Sequence, residues 1–158
     1  MARPYYTLES LVPERSVAFL IRRCGMLMVQ VAEARFASQP ISLVQWQILM
    51  WLTRSPHASP SELSRHLGHD LGALTRVVDG LERNALVHRR RSAHDRRAVE
   101  IEITPEGRGL AHTGKQFVVQ LLNELLEPFS KAEVDVLISL LLRLVTRMQQ
   151  VAQPATRT

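Results

Sequence analysis

The residues at about 131–151 are apolar on every side of a predicted helix. Their large apolar side chains are spread around the whole circumference: Val134, Val136, Leu137, Ile138, Leu140, Leu141, Leu142, Leu144, Val145 and Met148. A helix of this kind has to be buried on all sides. A chain of 158 residues cannot easily enclose it together with a long helix at the other end. The sequence therefore predicts a homodimer whose two-fold interface is made by the terminal helices.

The other long helix is predicted at residues 13–38. Apolar side chains recur there at intervals of three and four residues, which is the spacing of one helix face: Val17, Leu20, Ile21, Cys24, Leu27, Met28 and Val31. The pattern predicts one continuous helix of about 25 residues, roughly 40 Å long at 1.5 Å per residue. We expect helices 13–38 and 105–151 to form the dimerisation region.

Helix starts are marked by polar residues. Three pairs have the spacing of a capping box, in which two backbone amides are satisfied reciprocally: Ser42 with Gln45, Ser59 with Glu62, and Ser130 with Glu133. Thr104 before Pro105 is likewise typical of a helix N-cap and first turn. These signals predict helices at about 43–54, 60–67, 71–84, 105–127 and 131–151.

Residues 86–91 and 99–103 have a different pattern, rich in alternating and β-branched residues. With 92–98 between them, they predict a β-hairpin. The predicted fold class is therefore mainly α with a small β-hairpin. We expect a single domain over 13–150, in which 43–104 forms a separate lobe, with flexible termini at 1–12 and 152–158.

Positive charge is concentrated in that lobe. Residues 54–97 contain nine arginines and five acids, which accounts for most of the chain's net charge of +5, and five of the six histidines. A focused positive surface attracts polyanions, because neutralising phosphates releases counterions. The order of helix, helix, short helix, helix and basic hairpin is the plan of a winged helix-turn-helix.

Helix 71–84 has the pattern of a DNA-reading helix. Leu74, Val77, Val78 and Leu81 form an apolar stripe, so the outward positions are Ala73, Arg76, Gly80 and Arg83, with Thr75 and Asp79 beside them. The small residues Gly72 and Ala73 allow the backbone to approach base edges, and unpaired amides at a helix N-terminus favour phosphate. Arg96 and Arg97 lie at the predicted hairpin tip, where arginine suits a narrow minor groove.

Four stretches at this spacing carry a family resemblance: 59–68 (SPSELSRHLG), 72–87 (GALTRVVDGLERNALV), 95–97 (DRR) and 103–107 (ITPEG). Together they resemble the multiple-antibiotic-resistance-regulator (MarR) family of winged helix-turn-helix proteins. One departure is Asn84-Ala85, where the family often has a glycine at the helix end. Asparagine also tolerates a left-handed backbone, so we expect Asn84 to end the helix.

The resemblance implies a homodimeric, ligand-responsive transcription factor, usually a repressor, on a pseudo-palindromic duplex operator. It places Thr75 and Arg76 in the major groove and the wing arginines in the minor groove, with Asp95 orienting one of them. Arg89 and Arg91 are predicted to contact phosphates. The complete predicted DNA surface is Ser59, Ser61, Arg65, His69, Gly72, Ala73, Thr75, Arg76, Arg83, Arg89, Arg91, Asp95, Arg96 and Arg97.

The resemblance also implies a small aromatic or lipophilic effector, bound between the dimer helices and the winged lobe. Candidate ligand residues are Phe19, Arg22, Arg23, Trp46, Trp51 and Phe117. Simple packing is the alternative role for Phe19 and Trp46. No cofactor is expected.

Two alternatives involve other chemistry. Cys24, the single cysteine, lies on the apolar stripe of the first helix, where we expect a buried and inert thiol; a redox trigger is the alternative. His66 and His69 have a spacing that suits a shared metal with Asp70 or His57, but a basic setting without a thiolate favours phosphate contacts.

The remaining function classes are not favoured. No glycine-rich phosphate loop, paired carboxylates or nucleophile motif indicates an enzyme. A winged helix that binds only protein is the other alternative, and the basic hairpin argues against it. No apolar run approaches the ~18 residues of a membrane span, no apolar signal segment follows Met1, and one cysteine excludes an internal disulfide. We therefore expect a cytoplasmic protein with no membrane partner.

Overall fold

The structure is a computed structural model that describes residues 4–91 and 99–152. Six helices and one antiparallel strand pair follow in chain order: α1 Val17–Phe36, α2 Leu43–Leu52, α3 Pro60–Leu67, α4 Leu71–Arg83, β1 Val87–Arg91, β2 Val99–Ile103, α5 Pro105–Leu126 and α6 Lys131–Ala152. The predicted fold class, mainly α with a small hairpin, is confirmed. No helix among these residues is long and apolar enough to cross a membrane.

The chain divides into two compact units, Met1–Val118 and Val119–Thr158. The first unit contains a single hydrophobic core built from α2, α3, α4, the hairpin and the start of α5. Its fully buried large side chains are Ile48, Leu49, Leu52, Leu63, Leu74, Val78, Leu81, Val87, Ile101 and Ile103. This core therefore joins α4 and both strands, which carry five of the nine arginines of residues 54–97.

The second unit contains the end of α5 and all of α6. No residue of α6 is buried. Its exposed apolar side chains include Val136, Leu137, Ile138, Leu140, Leu141, Leu142, Val145 and Met148. In the single chain, α6 therefore presents to solvent the surface that the sequence predicts to be buried.

The first helix is shorter than predicted. A 3-10 turn spans Pro13–Arg15, and α1 begins only at Val17. Ser16 separates the two because its extended backbone and its hydroxyl, which accepts the amide of Phe19, form an N-cap. Residues 4–12 also have defined contacts, since the hydroxyl of Tyr6 accepts the amide of Val17 at 3.0 Å.

All three predicted capping boxes are present. In each, the serine hydroxyl accepts the backbone amide three residues later, and the glutamine or glutamate accepts the serine amide at 2.8 Å. Thr104 caps α5 as predicted, with its hydroxyl accepting the amide of Gly107 at 3.0 Å. Local sequence signals therefore locate these helix starts correctly.

The hairpin has a register that places Val87 opposite Ile103, Arg89 opposite Ile101 and Arg91 opposite Val99. Alternation along β1 therefore directs Val87 and Arg89 to the face that lines the core. A short bridge that the sequence did not predict adds Ala58 beside the hairpin, where the amide of Ile101 donates to its carbonyl at 2.8 Å. The predicted loop 92–98 lies outside the described residues.

Helix α4 ends at Arg83 with Asn84 as its C-cap residue, as predicted, and its left-handed residue follows. Ala85, and not Asn84, has the left-handed backbone, with a φ of 56°. The amide of Ala85 donates to the carbonyl of Glu82, and the amide of Leu86 donates to the carbonyl of Leu81. These two bonds form a Schellman motif, and its usual apolar contact is provided by Leu81 and Leu86, both buried.

Because left-handed backbone is strained in alanine, Ala85→Gly is expected to stabilise the protein. Relief of the strain exceeds the entropy that glycine loses on folding, so we expect a gain of about 0.5–1 kcal/mol in the free energy of unfolding. Urea unfolding followed by circular dichroism measures it. Ala34→Gly, in the exposed part of α1, is the matched control and is expected to lose about 1 kcal/mol. Equal losses for the two variants would contradict the motif.

Trp46 joins α2 to α5. Its indole N–H donates to the carbonyl of Ala111 at 3.1 Å, and its ring lies 5.6 Å from that of Phe36. A Cβ atom built on Gly114 would overlap the indole ring. Glycine at 114 is therefore what allows α5 to approach the tryptophan.

Gly114→Ala is expected to destabilise the protein, because the indole has to move from a well-packed position. Such overpacking costs about 1–3 kcal/mol of unfolding free energy. Gly109→Ala on the same helix is the control, since its Cβ meets nothing within 4 Å; it is expected to gain about 0.5–1 kcal/mol from helix propensity. Thermal unfolding of both variants provides the comparison, and a Gly114→Ala variant as stable as Gly109→Ala would refute the proposed packing.

Candidate nucleic-acid interface

The two faces of α4 differ as the sequence predicts. Leu74, Val78 and Leu81 are buried in the core, whereas Ala73 and Arg76 are exposed. A helix advances about 100° per residue, so burial of the stripe fixes the direction of the opposite face. The packing of the core therefore orients the predicted DNA-reading positions.

Thr75 and Arg76, at the centre of this face, differ in whether their side chains form hydrogen bonds within the protein. Within the described residues, the Arg76 side chain has no hydrogen bond or ion pair, so its guanidinium is free for a ligand. The hydroxyl of Thr75 donates to the carbonyl of Leu71 at 2.7 Å. Thr75 therefore retains an accepting oxygen and a methyl group for contact with DNA.

The N-terminus of α4 is less open to phosphate than predicted. The Asp70 side chain is the N-cap and accepts the amide of Ala73 at 3.0 Å. A carboxylate at this position satisfies one of the helix's free amides and brings a negative charge to its first turn. The expected phosphate contact through these amides is therefore partly pre-empted, although Gly72 and Ala73 stay exposed.

The predicted DNA residues of α3 and the following turn lie on the same unit. Ser61, Arg65 and His69 are exposed, and Ser59 is half-buried at the N-cap. The hydrogen bonds from the backbone and hydroxyl of Ser59 lower the pKa of Glu62. Glu62 thus stays ionised and stabilises the start of the helix, while the remaining polar side chains are available to a ligand.

Arg89, which the sequence predicts to contact phosphate, has acidic partners within the protein. Its Nη2 lies 2.5 Å from Oδ1 of Asp79, and its Nη1 donates to Glu82. Its backbone N–H donates to Glu82 Oε1 at 3.0 Å. The guanidinium is therefore held between β1 and α4 by contacts within the protein.

The opposite face of the hairpin holds another ion-pair group. Glu102 lies 3.1 Å from the guanidinium of Arg90 and 2.9 Å from Nε2 of His88. Hydrogen bonds from Arg90 and then His88 lower the pKa of Glu102. Arg91 has no hydrogen bond or ion pair with any other described residue. Of the three consecutive arginines, Arg89 and Arg90 have acidic partners, and Arg91 has none in the part of the chain that the structure describes.

Three predicted wing residues belong to the segment between β1 and β2. Asp95, Arg96 and Arg97 lie in 92–98, outside the described residues. The strands on both sides of that segment form a regular antiparallel pair, so the hairpin predicted to carry these residues is present.

The predicted effector residues are not gathered at one place. Phe19, Arg22 and Arg23 line an open groove of about 680 Å³ whose walls all come from α1. Trp46 is a packing residue, as described above. Trp51 stacks on His66 with ring centroids 4.0 Å apart, and Phe117 is half-buried on α5.

The two other candidate sites are also placed. Cys24 is exposed in the single chain, so the prediction of a buried thiol is wrong for the isolated protomer. Among residues 4–91 and 99–152, no three His, Cys, Asp or Glu side chains are grouped as a metal site would need. His66 instead contacts an aromatic ring.

Sequence reasoning missed the role of Asp79 and Glu82. They are three residues apart, so they share one side of α4, and both reach Arg89 across the chain. Their presence in an otherwise basic stretch was the available signal, because acids in such a stretch usually have an arginine partner.

Comparison with known proteins gives one consistent family. The MarR family model matches residues 39–98. The transcriptional repressor YetL of Bacillus subtilis is 29% identical over 123 residues, covering 77% of this chain and 74% of YetL. The regulator PecS of Dickeya dadantii is 31% identical over 116 residues, covering 72% of this chain and 70% of PecS.

Solved structures agree with the sequence matches. Apo wild-type MarR from E. coli has a TM-score of 0.75 and 27% sequence identity, with 85% of this chain and 98% of that chain covered. The observed order of helices and hairpin is thus that of a MarR-type winged helix. On the sequence and structural matches together, the chain belongs to the MarR family and is a transcriptional regulator of the winged helix-turn-helix class.

Proposed function

We propose that this regulator is a homodimeric repressor that binds a pseudo-palindromic duplex operator and is released by a small aromatic or lipophilic ligand. The DNA contact is supported by the exposed face of α4, where the Arg76 side chain is unpaired among the described residues and lies opposite the buried side chains of Leu74, Val78 and Leu81. A guanidinium in this position suits the O6 and N7 atoms of guanine in the major groove.

Each residue of the proposed interface has a specific role. Arg76 and Thr75 contact base edges, with Gly72 and Ala73 allowing close approach. The residues that contact the sugar-phosphate backbone of the DNA are Ser59, Ser61, Arg65, His69, Arg83 and Arg91. Arg96 or Arg97, one of them oriented by Asp95, enters the minor groove beyond the hairpin. Phosphate contacts of this kind position the helix, and base contacts provide specificity.

The exposed apolar surface supports the homodimer. Both α1 and α6 carry many exposed large apolar side chains, which in the single chain include Leu20, Leu27, Leu140 and Leu142. Apolar surface of this extent marks an interaction site, and a second copy of the same chain provides a matching surface by two-fold symmetry. In such a dimer the two α4 helices lie about one helical turn of DNA apart, roughly 34 Å.

The groove on α1 supports the proposal of a small-molecule effector, because its lining residues suit such a ligand. It is lined by Phe19, Arg22 and Arg23, and the guanidinium of Arg22 lies 5.5 Å from the Phe19 ring centroid. An aromatic surface beside two cationic side chains suits an aromatic anion. Trp46, Trp51 and Phe117 do not line this groove, so the proposed ligand contacts on α1 are Phe19, Arg22 and Arg23. Binding of this ligand between the dimer helices would favour a conformation in which the spacing of the two α4 helices no longer matches the two half-sites of the operator.

Selection of bound duplexes from a randomised library tests the proposed function. The expected result is enrichment of one pseudo-palindromic sequence with half-sites about one turn apart, bound with an affinity that falls as salt rises. Failure to enrich any sequence, together with no salt-dependent binding, would exclude DNA recognition. The selected duplex and a shuffled duplex of equal length then serve as probes.

Arg76→Ala is expected to lose about 1–3 kcal/mol on the selected duplex and to relax the preference at one base pair in each half-site, because a bidentate contact with guanine is removed. Arg91→Ala is the matched control. It is expected to weaken both probes equally and to reduce the salt slope by about one. Fluorescence anisotropy on base-substituted duplexes measures both effects. An unchanged base preference in Arg76→Ala would show that Arg76 does not read sequence.

Leu141→Arg is expected to convert the dimer into monomer or insoluble protein and to weaken operator binding. A buried, unpaired charge in an apolar interface costs several kcal/mol. Leu144→Arg should act in the same way. Sedimentation velocity measures the mass, and Gln149→Arg, which adds the same charge at a position that is already polar, is the control. Intact dimers of both leucine variants would refute the proposed interface.

A further inference from the structure

Arg76 has no ion pair within the described residues, although an acid lies within its reach. Asp79 follows Arg76 by three residues, and oppositely charged side chains at this spacing on a helix normally interact. Asp79 is 49% exposed, so burial does not keep the two apart. Its carboxylate is engaged instead by Arg89, whose Nη2 lies 2.5 Å from Oδ1.

Arg89 is held firmly enough to retain that carboxylate. Glu82 accepts both the backbone N–H of Arg89, at 3.0 Å, and its guanidinium. The Arg89 side chain is only 28% exposed, so it is less screened by water than Arg76. Burial disfavours its charge, but the hydrogen bonds that Arg89 donates to Asp79 and Glu82 outweigh that effect, and the pKa of Arg89 is raised.

We propose that Arg89 is a positioning residue for DNA reading: by holding Asp79 and Glu82, it keeps the Asp79 carboxylate away from Arg76 and so leaves Arg76 free to contact a base. This inference rests on the proposed function. It also gives the strand a second role, because the same guanidinium joins β1 to two successive turns of α4.

Loss of Arg89 has two predictable consequences. The Asp79 carboxylate becomes available to Arg76, which then has to break an ion pair before it reaches a guanine. Two uncompensated carboxylates also remain on a helix that faces DNA, where they repel phosphates. The first effect lowers the preference for the operator over other sequences, and the second weakens binding to all DNA.

A direct phosphate contact by Arg89 would give a different pattern. Removing a phosphate ligand weakens operator and shuffled DNA equally, whether or not Asp79 is present. Arg91 provides this comparison on the same strand, two residues away and without an acidic partner among the described residues.

The test compares affinities for the selected duplex and the shuffled duplex by fluorescence anisotropy, in the full chain. The variants are Arg89→Ala, Arg89→Ala with Asp79→Asn, and Arg89→Ala with Glu82→Gln. Asp79→Asn alone and Arg91→Ala, with and without Asp79→Asn, are controls. Thermal unfolding of every variant shows whether it is folded at the assay temperature. Arg89→Gln, which keeps a polar side chain, replaces Arg89→Ala if the latter unfolds.

We expect Arg89→Ala to lower the ratio of operator to shuffled affinity by roughly tenfold, within the range for one lost base contact. Asp79→Asn should restore the ratio to within about threefold of the wild type, the size of a weak residual coupling. Glu82→Gln should not restore it, because Glu82 lies almost two helical turns beyond Arg76. Asp79→Asn alone should keep the wild-type ratio, and Arg91→Ala should keep it in both backgrounds.

Three results would overturn the inference. The first is a folded Arg89 variant with an unchanged ratio, the second is a lowered ratio that Asp79→Asn does not restore, and the third is equal restoration by Glu82→Gln. If the wild-type protein binds neither duplex, the proposed function fails instead, so the two failures are distinguishable.

Discussion

The burial of one face of α4 is the constraint on which the rest of the structure depends. Leu74, Val78 and Leu81 are excluded from solvent, and burying side chains of this kind contributes about 1.5–3 kcal/mol each. Rotation of the helix about its axis would expose them and lose this free energy of burial. The packing of these side chains therefore fixes the orientation of the helix. The direction of Arg76, on the opposite face, follows from this packing.

The hairpin is attached to α4 by the same core and by polar contacts at its edge. Val87 and Ile101 are buried with the α4 stripe, and the chain reverses between helix and strand through the left-handed residue Ala85. Arg89 then connects β1 to two turns of the helix. Apolar burial provides the stability of this junction, while the hydrogen bonds and ion pairs define its geometry.

The basic stretch is best understood as two populations of arginine. Arg89 and Arg90 have acidic partners within the protein, whereas Arg76 and Arg91 have none among the described residues. Net charge does not distinguish these residues, but a paired guanidinium already donates some of its N–H groups to acids of the protein. The positive charge of the region favours polyanions over a distance, and under the proposed function the arginines without acidic partners are the ones that contact DNA.

The features that the sequence determined by itself depend on residues that are close together in the chain. The helix starts at Ser42, Ser59 and Ser130, the stripe of α4 and the two strands depend on neighbours within a few residues, and all were predicted. Family membership followed from the same stretches. The start of α1 was misplaced because Ser16 competes with an otherwise continuous apolar pattern.

Only the tertiary structure decided which side chains are partners. The pairing of Asp79 with Arg89, the seating of Trp46 over Gly114 and the bridge from Ala58 to Ile101 join residues that are far apart in the chain or on different elements. The left-handed residue at the end of α4 was likewise set by the strand that follows it. These contacts depend on how helices and strands pack against one another. The periodicity of apolar residues along one helix shows which face is buried, but not which residue of another helix or strand that face contacts.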